Sequence, residues 1–584
     1  MAGGLLSHPV EHHRRPEQRR PQPARPVPAL RRHAWPDAAP AAHSVGHAVL
    51  SGGRAHLGRA VVDRRGGRRV RRRGGRPGLG PGLSHPRGRL PVEDAAHVRG
   101  PADDFLHRGT DLPGDLVGVA AHPAALARKR HGARILKTLA AELERAAGAY
   151  VLRGARAPAA LLPAALAGLA DAQGLADVDL AVEGGRLGAV APAGTLQGGA
   201  GPILAGRQVW PAFHDLHTHL DKTHTLARAP NDDGTLLGAV KAVMADHARW
   251  RPAELEARAD FALRCAWAHG TAGLRTHLDA AGPQARMAWD VMLGLRERWR
   301  HRVRVQMVAM APMETYLGDG AEDFVRRVAE TGGVLGGVTR VPGLAPPAAR
   351  QRLGLALDAL FDWAVRYGLD VDLHVDESCE PEADSLLEVA RRTQARGLGG
   401  RVVCGHCCSL AVQEDETRER VLDACRDAGL AIVSLPLVNL FLQDRKAGRT
   451  PRLRGLPPLQ EISARGIAVA LSSDNCADAF HAYGDYDMLE VFREAVRNGH
   501  LDRHAGRWSA SVTAIPAARM RQAGSGRLEP GEPADFVIFD ARGIPQLLAR
   551  PQSDRLVVRD GRLLAVSPPS FDELDAALAR AGLE

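Results

Sequence analysis

The chain has 584 residues, is 45% hydrophobic and only 4% aromatic, and is long enough for two or more domains around a large core. Its net charge of +10 is lopsided, because residues 1–150 hold 27 Lys and Arg against 12 Asp and Glu whereas the rest holds 50 against 55. No apolar run reaches membrane-spanning length, the start lacks a signal-peptide-like apolar segment, and seven cysteines form no spaced framework, so a membrane span and a disulfide scaffold are excluded and a reducing cytoplasm is expected.

Residues 1–146 carry the basic excess. Here GGRRVRRRGGRPG (Gly66–Gly78) could act as an arm for nucleic acid or an anionic membrane. The wider composition argues otherwise. Of the 27 basic residues, 25 are Arg, and 12 of the protein's 25 His lie there too. Such Arg/Ala/Pro/Gly/His bias with scarce hydrophobic periodicity reads as a disordered or non-native extension, with neither nucleic acid nor membrane as partner. Within it, ARILKTLAAELERAA has the spacing of a helix.

Ordered structure is expected from Tyr150, where YVLRGARAP reads as a strand. Asp177–Pro192 alternates apolar and polar residues and turns at Gly184-Gly185, a β-hairpin. The stretch HDLHTHLDKTH (His214–His224) follows. From about residue 210 to 520, short apolar runs alternate with helical stretches. Strands are predicted at Thr271–Asp279, Arg302–Ala311, Leu369–Glu377, Arg401–His406, Leu430–Val438 and Ile467–Asn475, with helices such as Pro252–Gly270 and Ala349–Gly368 between them. This is the pattern of a (β/α) barrel, whose polar residues gather at strand C-terminal ends. After residue 524, GEPADFVIFDA and DRLVVRDGRLLAV return to short strands that could pair with Tyr150–Ala205. The expected domains are residues 147–208 plus 524–584, a β-sandwich, and residues 209–523, the barrel.

Strand alternation turns His217 and His219 to one side and His214 to the other. Two imidazoles at that spacing can share a metal. His374 ends another strand run. Glu377 can join it only if the strand stops near Val375. His406 and Asp474 sit at further strand ends. Together these make a mononuclear hydrolytic site with N/O ligands suited to Zn²⁺ or Fe²⁺. In CGHCC, Cys404, His406, Cys407 and Cys408 alternate in direction and lack a second Cys pair, so buried small residues are expected rather than a zinc site. His277 and Asp279 could line the pocket, Asp221 could support it, Asn439 and Gln443 could shape the loop above it, and His214 and His224 are peripheral. The helical MLEVFREAV is expected to face the core.

The segments HTHLD, VQMVAMAP, LHVDE, GHCCSL, PLVNLFLQDR, SSDNCADAFHAYGDYDMLE and GEPADFVIFD, in this order, resemble the amidohydrolase superfamily, and within it the cytosine deaminase-like branch. The resemblance implies a distorted (β/α)8 barrel with a small β-sandwich formed from both flanks. It implies one divalent ion, Fe²⁺ or Zn²⁺, held by His217, His219, His374 and Asp474. Glu377 would be the general base and acid, and His406 and Asp474 would stabilise the tetrahedral intermediate. Gln306 would clamp the amide-like edge of the substrate. Asn475 stands where the family has an Asp beside the substrate, and Phe480 where it has a Trp. The expected reaction is deamination of cytosine or a related amino-heterocycle by water. The alternative is hydrolysis of another C–N bond, in a cyclic amide or N-substituted heterocycle. No Lys suggests a carboxylated bridging ligand, which disfavours a binuclear site. An assembly of identical copies is compatible with the sequence.

Overall fold

The computed structural model describes residues 123–582 except 147, 341–345, 523 and 551–553. The extension expected over residues 1–146 therefore falls outside the described residues as far as residue 122. Beyond that point the chain is a helix, Pro123–Arg145. Its Leu136, Leu139 and Leu143, at i, i+3 and i+7, are buried in one apolar cluster with Tyr150, Leu152, Val178 and Phe536. The β-domain core thus begins ahead of residue 147. The alternation starting at Tyr150 marks only its first strand.

Strands β1 (Tyr150–Pro158), β2 (Leu175–Glu183) and β3 (Arg186–Pro192) form an antiparallel run. The β2–β3 turn uses Gly184 at φ 58° and Gly185 at φ 79°, the left-handed pair that a two-residue hairpin requires. Strand β4 (Gln208–Pro211) leads into the barrel, whose strands are β5 (Phe213–Thr218), β6 (Thr271–Asp279), β7 (Arg304–Pro312), β8 (Val334–Val338), β9 (Val371–Val375), β10 (Val402–His406), β11 (Ala431–Ser434) and β12 (Ala468–Leu471). The chain then returns as β13 (Phe536–Phe539), β14 (Arg555–Arg559) and β15 (Arg562–Leu563). The outer sheet has the order β15-β14-β13-β4-β1-β2-β3, so β13 pairing with β4 joins the two flanks.

The barrel sheet runs β5 to β12 in sequence order, with every neighbouring pair parallel. Its seam is drawn together past the end of β12. Asp474 bridges Thr218, its N–H donates to the His217 carbonyl at 2.9 Å, and Leu216 N–H donates to Ser472 Oγ at 3.1 Å.

Sequence periodicity misses β8. The run VLGGV is short and two of its five residues are glycine, which carries little strand signal. The glycine is needed there, since a Cβ on Gly336 would lie 2.8 Å from the Asp372 carbonyl oxygen. Three predicted strands stop early. Leu430–Val438 ends at Ser434, because Pro436 starts a helix, Pro436–Leu442, at the position where its missing N–H costs nothing. Leu369–Glu377 ends at Val375, and Ile467–Asn475 ends at Leu471. The helix Met488–Asn498 buries Met488, Leu489, Val491 and Phe492. Phe492 meets Trp210 edge-on at 5.2 Å between ring centroids, and Phe539 meets the same indole at 6.2 Å. Each such aromatic pair adds about 1 kcal/mol beyond its area burial. No described helix is long and apolar enough to cross a membrane.

Candidate active site

Every residue of β5 is buried. Alternation sends His214 outward, where Nε2 lies 3.0 Å from Ser525 Oγ, and sends His217 into the barrel. His219 follows the strand and returns to the same point. The Nε2 atoms of His217 and His374 lie 3.1 Å apart, and those of His374 and His219 lie 3.3 Å apart. Asp474 Oδ1 is 3.2 Å from His219 Nε2 and 3.6 Å from His217 Nε2. Asp474 reaches this point in a left-handed conformation, φ 64°, uncommon for a residue with a side chain and paid back by the seam contacts.

The stop at Val375 decides where Glu377 goes. Asp376 turns the chain at φ 48°, and its carboxylate accepts from Ser385 N–H at 3.1 Å and Leu386 N–H at 3.0 Å, at the start of a helix. Glu377 then faces the cluster, with Oε1 3.5 Å from His406 Nδ1. The amide Nδ2 of Asn439 lies 3.1 Å from the same ring atom. In this orientation the neutral ring carries its proton on Nε2, a buried atom with no partner among the described residues. Gln443 Nε2 donates to the Glu377 carbonyl at 3.5 Å.

Burial first, then repulsion from neighbouring groups (His277 at His217, Lys222 at His219, His406 at His374), holds the three imidazoles well below their usual range. Burial lowers His406 to about 3. Burial pushes Glu377 up to about 8 and Asp474 well above the carboxylate range, with the nearby Glu377 charge adding to the latter. Lone pairs converge on imidazoles that resist protonation. Both Asp474 oxygens and Nδ1 of His217 and His374 also lack partners among the described residues. A divalent cation would satisfy the converging Nε2 lone pairs of His217, His219 and His374 and the unpartnered Asp474 oxygens, so the residues fit a metal. Sets of three, His217–His219–His374 and His217–His406–Asp474, bring one ligand atom each within 4.8 Å of one another.

A polar layer lies one step towards the strand N-termini. Arg275 Nη1 donates to Asp372 Oδ2 at 2.6 Å, and Asp372 Oδ1 is 3.2 Å from His277 Nε2. The His277 ring stacks on His217 at 3.8 Å between centroids. Gln306 belongs to this layer. It pairs in register with Arg275, and its Oε1 accepts from Arg275 Nε at 2.9 Å. The expected substrate clamp is therefore corrected. Gln306 is committed to a guanidinium two residues below the level of His277, near the start of β7. The end of β7 that faces the cluster is followed by Met313 and Glu314.

Lys222 was passed over by sequence reasoning. Buried beside the cluster, its Nζ lies 3.0 Å from Asp221 Oδ1, 3.1 Å from Asp279 Oδ1 and 3.4 Å from His219 Nδ1. Burial opposes its charge, yet Asp221 and Asp279 raise it above the ordinary lysine range. His219 Nδ1 also lies 3.1 Å from the His277 carbonyl, which requires the proton on Nδ1 and leaves Nε2 free to bind. Asp221 Oδ2 accepts from Asp279 N–H at 2.8 Å, and Asp279 Oδ2 meets His247 Nε2 at 3.1 Å. His224 packs its ring against Phe261 at 5.1 Å between centroids. Cys404, Cys407 and Cys408 are buried free thiols.

The loop after Asp474 carries Asn475 and half-buried Phe480. Asp478, also missed, organises it. Its Oδ2 accepts from Asn475 Nδ2 at 2.6 Å, and its Oδ1 accepts from the N–H groups of Phe480 at 2.8 Å and His481 at 3.2 Å. Burial pushes its carboxyl up to about 7 against these donors. Alternation would have found Arg275, two residues before His277, and Asp372, two before His374. No local signal marks Asp478.

Comparison with known proteins matches residues 251–565 to the amidohydrolase family. A pterin deaminase of Rhizobium rhizogenes is 42% identical over 409 residues, covering 70% of this chain and 92% of the relative. The N-isopropylammelide isopropyl amidohydrolase of a Pseudomonas species is 24% identical over 367 residues, covering 62% and 86%. Among solved structures, the 5-methylcytosine deaminase of Klebsiella pneumoniae superimposes with a TM-score of 0.62 at 23% identity, covering 72% of this chain and 98% of that one.

Proposed function

The chain belongs to the amidohydrolase family, and from that premise we propose that it removes the amino group of a 2-amino-4-oxo heterocycle of the pterin type by hydrolysis. Hydrolytic deamination of an amino-heterocycle is the reaction class, and the ring identity is the finer part of the proposal. The observation that carries it is the placement of Glu377, with Oε1 3.5 Å from His406 Nδ1, beside three imidazoles whose Nε2 atoms converge with the Asp474 carboxylate.

His217, His219, His374 and Asp474 would hold one divalent ion, Zn²⁺ or Fe²⁺. Such an ion, when bound, lowers the pKa of water toward neutrality and polarises the atom under attack. Glu377 takes the water proton and delivers it to the ring nitrogen next to the amino-bearing carbon. The C–O bond forms as the C=N electron pair moves to that nitrogen. His406 donates its Nε2 hydrogen to the developing oxyanion, and Asp474 holds the remaining hydroxyl proton. Glu377, emptied by the first transfer, takes over that hydroxyl proton and delivers it to the amino group; the C=O forms as the C–N bond breaks, and ammonia leaves with its electron pair. A carboxyl poised near neutrality suits both directions of transfer.

The test is ammonia release from pterin, cytosine, isocytosine and amino-triazines by protein of measured metal content. Release from at least one supports the reading, and pterin is expected first. No release from any overturns it. An opened ring without ammonia, or release of a substituted amine instead, would favour hydrolysis of another C–N bond.

A further inference from the structure

We propose that Asp478 is a positioning residue that locks the Asn475 side chain so that its Oδ1 accepts a hydrogen bond from a ring N–H of the substrate. The inference rests on the deaminase reading above and adds a rule for which rings the site accepts.

Asp478 is only 1% exposed, and donors surround both of its oxygens. Two backbone N–H groups at Oδ1 and one amide at Oδ2 call for acceptors on both sides. With Oδ1 taken by two backbone N–H groups and Oδ2 in contact with Asn475 Nδ2, the Asn475 amide presents its nitrogen to the carboxyl. The 2.6 Å contact fixes that amide plane. Oδ1 lies on the opposite side of the same planar group, turned from Asp478. It has no donor among the described residues, although Asn475 is 3% exposed. The backbone is pinned as well. The Asn475 carbonyl lies 3.2 Å from His481 Nδ1, and the Ala479 carbonyl accepts from Asn231 Nδ2 at 3.0 Å.

Asn475 directly follows Asp474, whose Oδ1 lies 3.2 Å from His219 Nε2, so the residue stands beside the cluster. A free asparagine could turn either end of its amide to a ligand. This one cannot turn without leaving the Asp478 carboxylate unpaired in a buried loop. The site is thereby committed to rings whose lactam N–H is intact. A ring methylated at that nitrogen offers no donor and places a methyl group against the oxygen.

Calorimetry on metal-loaded protein with pterin, and with pterin methylated at the lactam nitrogen, tests this. Wild type is expected to bind the parent at least 10-fold more tightly. Asp478→Asn frees the amide, so the preference should fall below about 3-fold, with KM for the parent rising more than kcat falls. A wild type that binds both rings alike, or an Asp478→Asn protein that keeps the wild-type preference, overturns the assignment. Should Asp478→Asn fail to fold, Asn475→Leu removes the acceptor directly and must abolish the same preference. Binding preference is read independently of ammonia release. Discrimination lost without any change in turnover chemistry, or turnover absent with discrimination present, therefore separates this inference from the deaminase reading.

Discussion

Glu377→Gln separates the proton chemistry of the site from its architecture. Glutamine matches the shape of a protonated carboxyl but neither gains nor loses a proton. The rise of Glu377 from 4.5 to about 8 corresponds to about 5 kcal/mol against ionisation. The side chain keeps 14% exposure, so water screening brings the expectation to about 2–4 kcal/mol. Folded protein holds this proton up to about pH 8, whereas the unfolded chain releases it near 4.5. The stabilisation is therefore present below the unfolded value and lost as pH rises through the folded one. Denaturant unfolding of metal-free protein should show wild type losing about 2–4 kcal/mol relative to Glu377→Gln between about pH 5 and pH 8. Metal-loaded Glu377→Gln should keep its metal and lose about 10²–10⁴-fold in kcat. Near-normal turnover, loss of metal, or a stability difference independent of pH would refute the reasoning.

Gly405→Ala would place a Cβ 3.0 Å from Cε1 and 3.2 Å from Nδ1 of His217, so competitive chelator titration should show metal affinity falling about 10-fold or more; unchanged affinity would mean that the imidazole has room to move. Arg555→Met should lower stability by roughly 3 kcal/mol in chemical unfolding, because Arg555 meets both oxygens of Asp487, at 2.8 and 2.6 Å, and leaves a buried carboxylate behind. On acidification, His224 and His481 stay neutral in the folded protein down to about 4, whereas the unfolded chain protonates them near 6.5. Their contribution is complete above pH 6.5 and lost as pH falls towards 4, and thermal scans across that window should show proton uptake on unfolding. Removing metal with a strong chelator should abolish ammonia release, and readdition of Zn²⁺ or Fe²⁺ should restore it.

Strand alternation and chain order made much of the site legible. His217 is the inward residue of its strand, His406 ends its strand and His374 stands one residue before the end of its own, and Asp474 follows the last. Those features depend on each residue's neighbours in sequence, so periodicity carries them. The parallel barrel follows for the same reason, since apolar runs separated by helical stretches have few other solutions. Strand β8 escaped because its glycines serve a close backbone approach visible only when β7 and β9 are in place.

Gln306 shows the limit most directly. Its position in a strand could be read, but its height in the barrel could not. Height depends on the stagger between β6 and β7, which sets Gln306 opposite Arg275 and away from the cluster. Lys222 and Asp478 were hidden for a related reason, because their roles come from partners that the fold delivers from Asp279 and from a turned loop. The sequence by itself determined the barrel, the flanking β-domain and the residue types able to bind a cation. Tertiary structure decided which polar side chains share a level and which are already spent on one another. Spacing along a strand is local, whereas register between strands is a property of the closed sheet.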